Sequence, residues 1–306
     1  MTTTQVQEDT TAAYRKRVMG FLGDQDPIEV LGRTAYAAAD PIVSLYQGIR
    51  ARQVEDGALP ERTRCIPNGI DLARFAALRA GRAAAPAPNF VLIGRVVPIK
   101  DIKTFIRAMR TVVNRIPEAQ GWIVGPAEED PGYHEECLAL VEMLDLGPSV
   151  LFKGYRKVEE ILPRAALLVL SSISEALPLT LLEGFAAGVP AVATDVGSCR
   201  QLIHGDPGDA EDLALGAAGR IVDIGDPAGL AEAMVGLHGD KAEWSRARDA
   251  AVTRVERYYT DALMLESYRG IYARALADAA AGNAQAAGGS PRAGTGKCPF
   301  PHAGKA

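Results

Sequence analysis

Residues 89–125 read NFVLIGRVVPIKDIKTFIRAMRTVVNRIPEAQGWIVG, and this stretch decides the fold. An aliphatic run (89–94) stops at a glycine. A helical pattern follows from about Ile102 to Asn114, and a second aliphatic run (121–125) stops at another glycine. Short, nearly continuous apolar runs joined by helical segments mark strands buried on both faces of a parallel sheet. The unit then repeats. GWIVG precedes a helix around Tyr133–Leu144, SVLFKG (149–154) a short helix near Val158–Pro163, and ALLVLSS (166–172) a helix opening at Pro178. VPAVAT (189–194) precedes a short helix near Cys199–Ile203, and GRIVD (219–223) a helix near Pro227–Leu237. Residues 89–240 are therefore expected to form an α/β domain with a doubly wound parallel sheet. Ligands of such sheets bind outside the carboxyl ends of the strands.

On the amino-terminal side, residues 1–26 are polar and read as a loose leader. Residues 27–75 have the shape of one further α/β unit. RTAYAAADPIVSLYQG gives a helix running into a strand around Ile42–Leu45, and RTRCIPNGIDLARF gives a strand closed by Pro67-Asn68-Gly69. Residues 76–88, AALRAGRAAAPAP, read as an Ala/Pro linker. On the carboxyl side two helices are expected, near 241–257 and 260–277. The Gly-, Ala- and Ser-rich stretch of 281–306 is expected to be a disordered tail.

Lys plus Arg number 33 against 38 Asp plus Glu, a formal charge of −5, and 48% of residues are hydrophobic. These values exclude a mainly disordered chain and give no global nucleic-acid signature. No apolar run approaches the ~20 residues of a membrane helix, and MTTTQVQEDTTAAYRKR has no signal-peptide core. A cytoplasmic protein is expected. Cys65, Cys137, Cys199 and Cys298 are far apart, which argues against a zinc site and a disulfide scaffold. Cys298 and His302 alone make a poor metal site.

Two segments carry chemistry. In SSISEALPLTLLEGFAAGVPAVATDVG, Glu175 sits on a loop and Glu183 in the second turn of the helix after Pro178. The amides of residues 177–180 at that helix tip are an anion site. In LIGRVVPIKDIKTF, Gly94 ends a strand, Arg95 follows, and Lys100 precedes the next helix. An Arg fork and a Lys point charge suit a diphosphate. Taken singly, the acids are equally consistent with solvated loop and helix-surface groups, and the cations fit surface groups paired to neighbouring acids better than a ligand site. Taken together they fit a nucleotide-sugar diphosphate, with cations and amides on phosphate and carboxylates on hydroxyls. The G-x-G-x-x-G and G-x4-G-K-[ST] patterns are absent, which weakens dinucleotide and P-loop readings. Cys199, after Gly197-Ser198, and Asp195 are further candidates for the same crevice.

GRVVPIK, SEALPLTLLEGFAAGVPAVATDVG and IPNGIDLARF resemble glycosyltransferase family 4, whose members have the GT-B fold of two Rossmann-like domains. RTAYAAADPIVSLYQG, IGRVVPIKDIKTFIRAMR, GWIVGP, SISEALPL and DVGSCRQLI resemble, more narrowly, the Pel exopolysaccharide glycosyltransferases. The resemblance covers residues 30–275. It implies retaining transfer of a sugar, glucose first, from a UDP-sugar to a growing cationic polysaccharide, with inner-membrane exopolysaccharide synthase proteins as partners. It implies that Arg95 and Lys100 bind the diphosphate, Glu175 the transferred sugar and Glu183 the ribose. Backbone around Leu177, Pro178, Leu179 and Thr180 would approach the phosphates. Gly94, Tyr155 and Arg156 would complete the donor site, the last two beside the uracil. No metal or other cofactor is implied. Against the family's pattern, only residues 27–75 stand where a full amino-terminal acceptor domain is expected. The uncovered surface would favour self-association. Two other readings stay open: a UDP-sugar-binding module without turnover, and a sugar-nucleotide epimerase of the same fold.

Overall fold

In the computed structural model, residues 27–80 and 86–288 are described. The expected leader (1–26), part of the linker (81–85) and the tail beyond 288, with Cys298 and His302, lie outside the described residues. The chain opens with α1 (Pro27–Ala38), β1 (Ile42–Ser44), α2 (Gln47–Glu55), β2 (Thr63–Cys65) and α3 (Leu72–Ala80). β1 and β2 pair in parallel, from Ile42 opposite Thr63 to Ser44 opposite Cys65. Two parallel strands are marginal alone, and this stretch is anchored elsewhere. Ile70 N donates to Tyr259 O at 3.0 Å, and Asp261 N donates to Ile70 O at 3.1 Å. Phe75 on α3 is fully buried in the core of the following domain.

That domain comprises β3 (Asn89–Ile93), α4 (Ile102–Arg115), β4 (Gln120–Val124), α5 (Pro131–Met143), β5 (Val150–Gly154) and α6 (Val158–Ile161). It continues with β6 (Leu167–Leu170), α7 (Leu179–Ala186), β7 (Ala191–Thr194), α8 (Cys199–His204) and α9 (Ala210–Ala214). β8 (Gly219–Val222), α10 (Pro227–Gly239) and α11 (Lys241–Tyr258) complete it. The six strands are ordered β5-β4-β3-β6-β7-β8, and every pair is parallel. This is the expected doubly wound, Rossmann-like sheet. Its order reverses between β3 and β6, and the crevice of such a fold lies there.

The sheet is covered on both faces because alternate residues of each strand point to opposite sides. Phe90 and Leu92 join one core with Ile102, Phe105, Met109 and Met234, under α4 and α10. Val91 joins the other with Leu181, Phe185, Leu202 and Val255, under α7, α8 and α11. In α4 the buried positions Ile102, Phe105, Ile106, Met109 and Val112 follow the helical period. Asp101, at φ 43°, caps this helix by accepting from Thr104 N at 3.3 Å. Among the described residues one ion pair is wholly interior. Arg254 on α11 donates to Asp212 Oδ1 (2.5 Å) and to the carbonyls of Ile203, Asp212 and Gly216 (each 2.9 Å).

Three expectations change. Residues 76–80 continue helix α3 instead of starting a linker. Residues 281–288 extend the last helix, α12 (Asp261–Gly288), where a disordered tail was expected. Helix α9 was not anticipated. The chain divides into two units after Met264, and the described part of the second is the helical stretch from Leu265. No described helix is long and apolar enough to cross a membrane.

Candidate functional site

The carboxyl ends of β3, β4 and β5 open onto a cavity of 340 Å³. Gly94, Arg95, Tyr155, Arg156 and Glu183, all singled out from sequence, lie in its wall together with Arg74 and Lys157. Four cations and one carboxylate thus share one cavity wall in a chain of negative formal charge. Clefts lined by one sign of charge concentrate the opposite charge. The floor is tight. Gly125, at φ +151°, packs against the carbonyl of Gly94, where a Cβ would come within 2.0 Å. Gly94 N is held by Val124 O at 2.9 Å.

Glu183 is half-buried on α7, and burial raises its carboxyl above the usual range, with Arg74 opposing and Glu159 adding to the rise. Arg74 comes from α3, outside the sheet domain, and its Nε donates to Glu159 Oε1 at 2.5 Å. That bond holds the Glu159 carboxyl below its usual value.

Lys100 and Glu175 lie beside this cavity, outside its wall. Lys100 Nζ donates to Glu175 Oε1 at 2.5 Å across the β3/β6 switch point, and both side chains are largely buried. The link to the cavity is Gly94, against which the Lys100 stem packs; a Cβ there would meet Lys100 Cε at 3.4 Å. The two loops are laced together. Ser171 Oγ donates to Lys100 O (2.9 Å), Ile173 N to Ile99 O (2.9 Å), and Ser172 Oγ to Glu175 Oε1 (2.7 Å). The Glu175 backbone is fixed from the other side by Gly197, and Ser198 N donates to Ala176 O at 2.9 Å.

Arg95 does not join Lys100. Its Nη1 lies 2.6 Å from both carboxylate oxygens of Glu129, with both side chains about half exposed. Pro178 is the N-cap residue of α7 and offers no side-chain group to its first amides, those of Leu179 and Thr180. Leu177 and Pro178 are buried, so only their backbone can serve a ligand, while Leu179 and Tyr155 are exposed. Asp195 is paired with Arg200. The Cys199 thiol is buried, and burial together with the Glu175 charge pushes it up to about 12, so it is a packing group.

Sequence reasoning missed Arg74, Glu129, Glu159 and Ser172. Nothing local marks Arg74, because its partner is 85 residues away. Ser172 carried a readable signal. Two serines end an otherwise aliphatic strand, and buried hydroxyls need partners.

The family model for glycosyl transferases group 1 matches residues 87–240. A D-inositol 3-phosphate glycosyltransferase of Acidothermus cellulolyticus is 30% identical over 249 residues, 74% of this chain and 54% of that protein. An exopolysaccharide phosphotransferase of Streptomyces coelicolor is 34% identical over 208 residues, 67% of this chain and 20% of that protein. Among solved structures, Anabaena HepE in complex with UDP and glucose superposes with a TM-score of 0.67 at 18% identity, over 80% of this chain and 67% of that one. Sucrose-phosphate synthase from Thermosynechococcus elongatus gives 0.65 at 24% identity, over 82% and 63%. The chain spans little more than half the length of the D-inositol 3-phosphate glycosyltransferases it matches.

Proposed function

The chain belongs to the group 1 glycosyl transferases, and from that premise we propose that it transfers a hexose, glucose first, from a UDP-sugar to a growing exopolysaccharide with retention of configuration. The acceptor class follows the resemblance to the Pel exopolysaccharide glycosyltransferases. The observation that carries the reading is the cavity whose wall brings together Arg74, Arg95, Arg156, Lys157 and Glu183, with the Lys100–Glu175 pair beside it.

In this reading the diphosphate takes Arg95, Lys100 and the amides of Leu179 and Thr180. Tyr155 and Arg156 flank the uracil, Glu183 accepts from the ribose, and Glu175 from hydroxyls of the transferred sugar. The bond from the sugar's anomeric carbon to phosphate breaks as the acceptor hydroxyl adds to the same face, and the hydroxyl proton passes to the departing phosphate. Preorganised cations and helix amides lower the barrier by stabilising the charge on that phosphate. They fill the role a metal ion would otherwise play, so no cofactor is proposed. The work is placed at the cytoplasmic side of the inner membrane, beside exopolysaccharide synthase proteins.

Calorimetry with UDP and UDP-glucose, paired with transfer and hydrolysis assays, tests the reading. UDP binding is expected, with Lys100→Ala lowering the affinity roughly tenfold or more at an unchanged circular dichroism spectrum. Absence of UDP binding overturns it. Binding without UDP release in the presence of acceptor points instead to a binding module. Conversion of UDP-GlcNAc to free ManNAc would point to an epimerase.

A further inference from the structure

We propose that Ser172 is a positioning residue that sets which oxygen of Glu175 faces the transferred sugar. This rests on the donor-sugar role given to Glu175 above. Ser172 follows β6, is only 2% exposed, and donates from Oγ to Glu175 Oε1 at 2.7 Å. Lys100 Nζ donates to the same oxygen at 2.5 Å. Both donors therefore fall on Oε1, and among the described residues Oε2 has no hydrogen-bond partner. A carboxylate oxygen carries two lone pairs. Oε1 is thus filled from the protein side, and Oε2 is the oxygen left to accept a hydroxyl.

Ser172 can hold this orientation because it is itself held. Thr194 Oγ1, at the end of β7, donates to Ser172 O at 2.7 Å. The neighbouring Ser171, fully buried, donates to Lys100 O at 2.9 Å and so fixes the backbone of the second donor. Without the Ser172 hydroxyl, Lys100 is the one remaining anchor. Its flexible stem leaves the carboxylate free to turn about its last torsion. The Lys100 charge stays in place, so the part of the ligand without a sugar is unaffected. A group holding a reacting partner in one orientation acts through such restriction.

The test is a double-mutant cycle on the full chain, with UDP and UDP-glucose as calorimetric probes. Ser172→Ala is expected to leave UDP affinity within about twofold while UDP-glucose affinity falls several-fold, towards the value for Glu175→Ala. The double variant is expected to lose no more than Glu175→Ala alone, because Ser172 acts only through that carboxylate. Ser172→Thr, which keeps the hydroxyl, is expected to recover part of the loss. Additive losses, equal losses for the two probes, or no loss in Ser172→Ala would overturn the positioning role alone, provided Glu175→Ala shows a sugar-selective loss. If Glu175→Ala weakens both probes equally, or the unsubstituted chain fails to bind UDP-glucose, the donor-site reading falls and this role falls with it.

Discussion

Glu129 holds Arg95 through both carboxylate oxygens, and Glu175 holds Lys100 through one. Each cation proposed for phosphate thus already faces an acid, which reduces the positive charge a diphosphate meets while leaving further N–H donors on both cations. The Arg95–Glu129 pair is about half exposed, so it is worth at most about 1 kcal/mol. Glu129→Gln is accordingly expected to raise UDP affinity by up to about fivefold, with a smaller gain at high salt, as measured by calorimetry across ionic strengths. Glu183 works in the opposite sense on the fold. Burial raises its carboxyl above the ordinary 4.5, so the folded state binds its proton more tightly than the unfolded chain. The stability it contributes is present below pH 4.5 and is lost as pH rises through the raised value. At pH 7 its charge is a liability. Glu183→Gln is expected to raise the thermal midpoint there by about 1–3 °C, the gain vanishing on acidification. Melting curves at a series of pH values check this. A residue kept at a cost to stability is what a ligand-binding role predicts.

At the scale of elements, the crevice is made by loops pressed together at glycines. Gly197 sits at φ +55°, and a Cβ there would lie 2.2 Å from Glu175 O. Gly197→Ala has to strain its own backbone and push the Glu175 loop. It is expected to cost more than about 1 kcal/mol and to weaken UDP-glucose binding more than UDP binding, as read from denaturant melts and calorimetry. The strands of this domain were legible because each is a short, mostly apolar run of four or five residues followed by a helical pattern. Gly94, Arg95 and Glu183 were legible because they lie at a strand end or on the helix that follows a strand, whereas Tyr155 and Arg156 came only from the family resemblance. Composition misled in two places. Alanine-rich AALRA (76–80) and the start of the tail looked like spacers, yet alanine is the strongest helix former, and both are helical. Pairings between distant segments left no trace. Glu129 is 34 residues from Arg95, and no local pattern told which acid each cation meets.

At the scale of the whole molecule, α11 is tied to α8 and α9 by Arg254, which is fully buried and bridges the Asp212 carboxylate to the carbonyls of Ile203, Asp212 and Gly216. Removing one partner of a buried pair leaves an uncompensated charge. Arg254→Ala is expected to cost about 3–5 kcal/mol, and replacing Arg254 and Asp212 together by apolar residues of similar volume much less. Urea denaturation of the two variants measures the difference. The core on that face also takes in Ile70 and Phe75 from the preceding stretch, so the first α/β unit and α11 are expected to melt with the sheet domain, as one calorimetric transition would show.

The parallel bridge between Ile70 and Thr260 has a further consequence. Residues 70–260 begin and end at one rung of backbone. A short peptide joining those two points would close α3 through α11, with the six-stranded sheet, into a ring, and the ring could be cut again at an exposed loop without changing which of those six strands meet. The order of the strands along the gene is then a matter of where the ring is opened, and a circular permutant would keep its crevice.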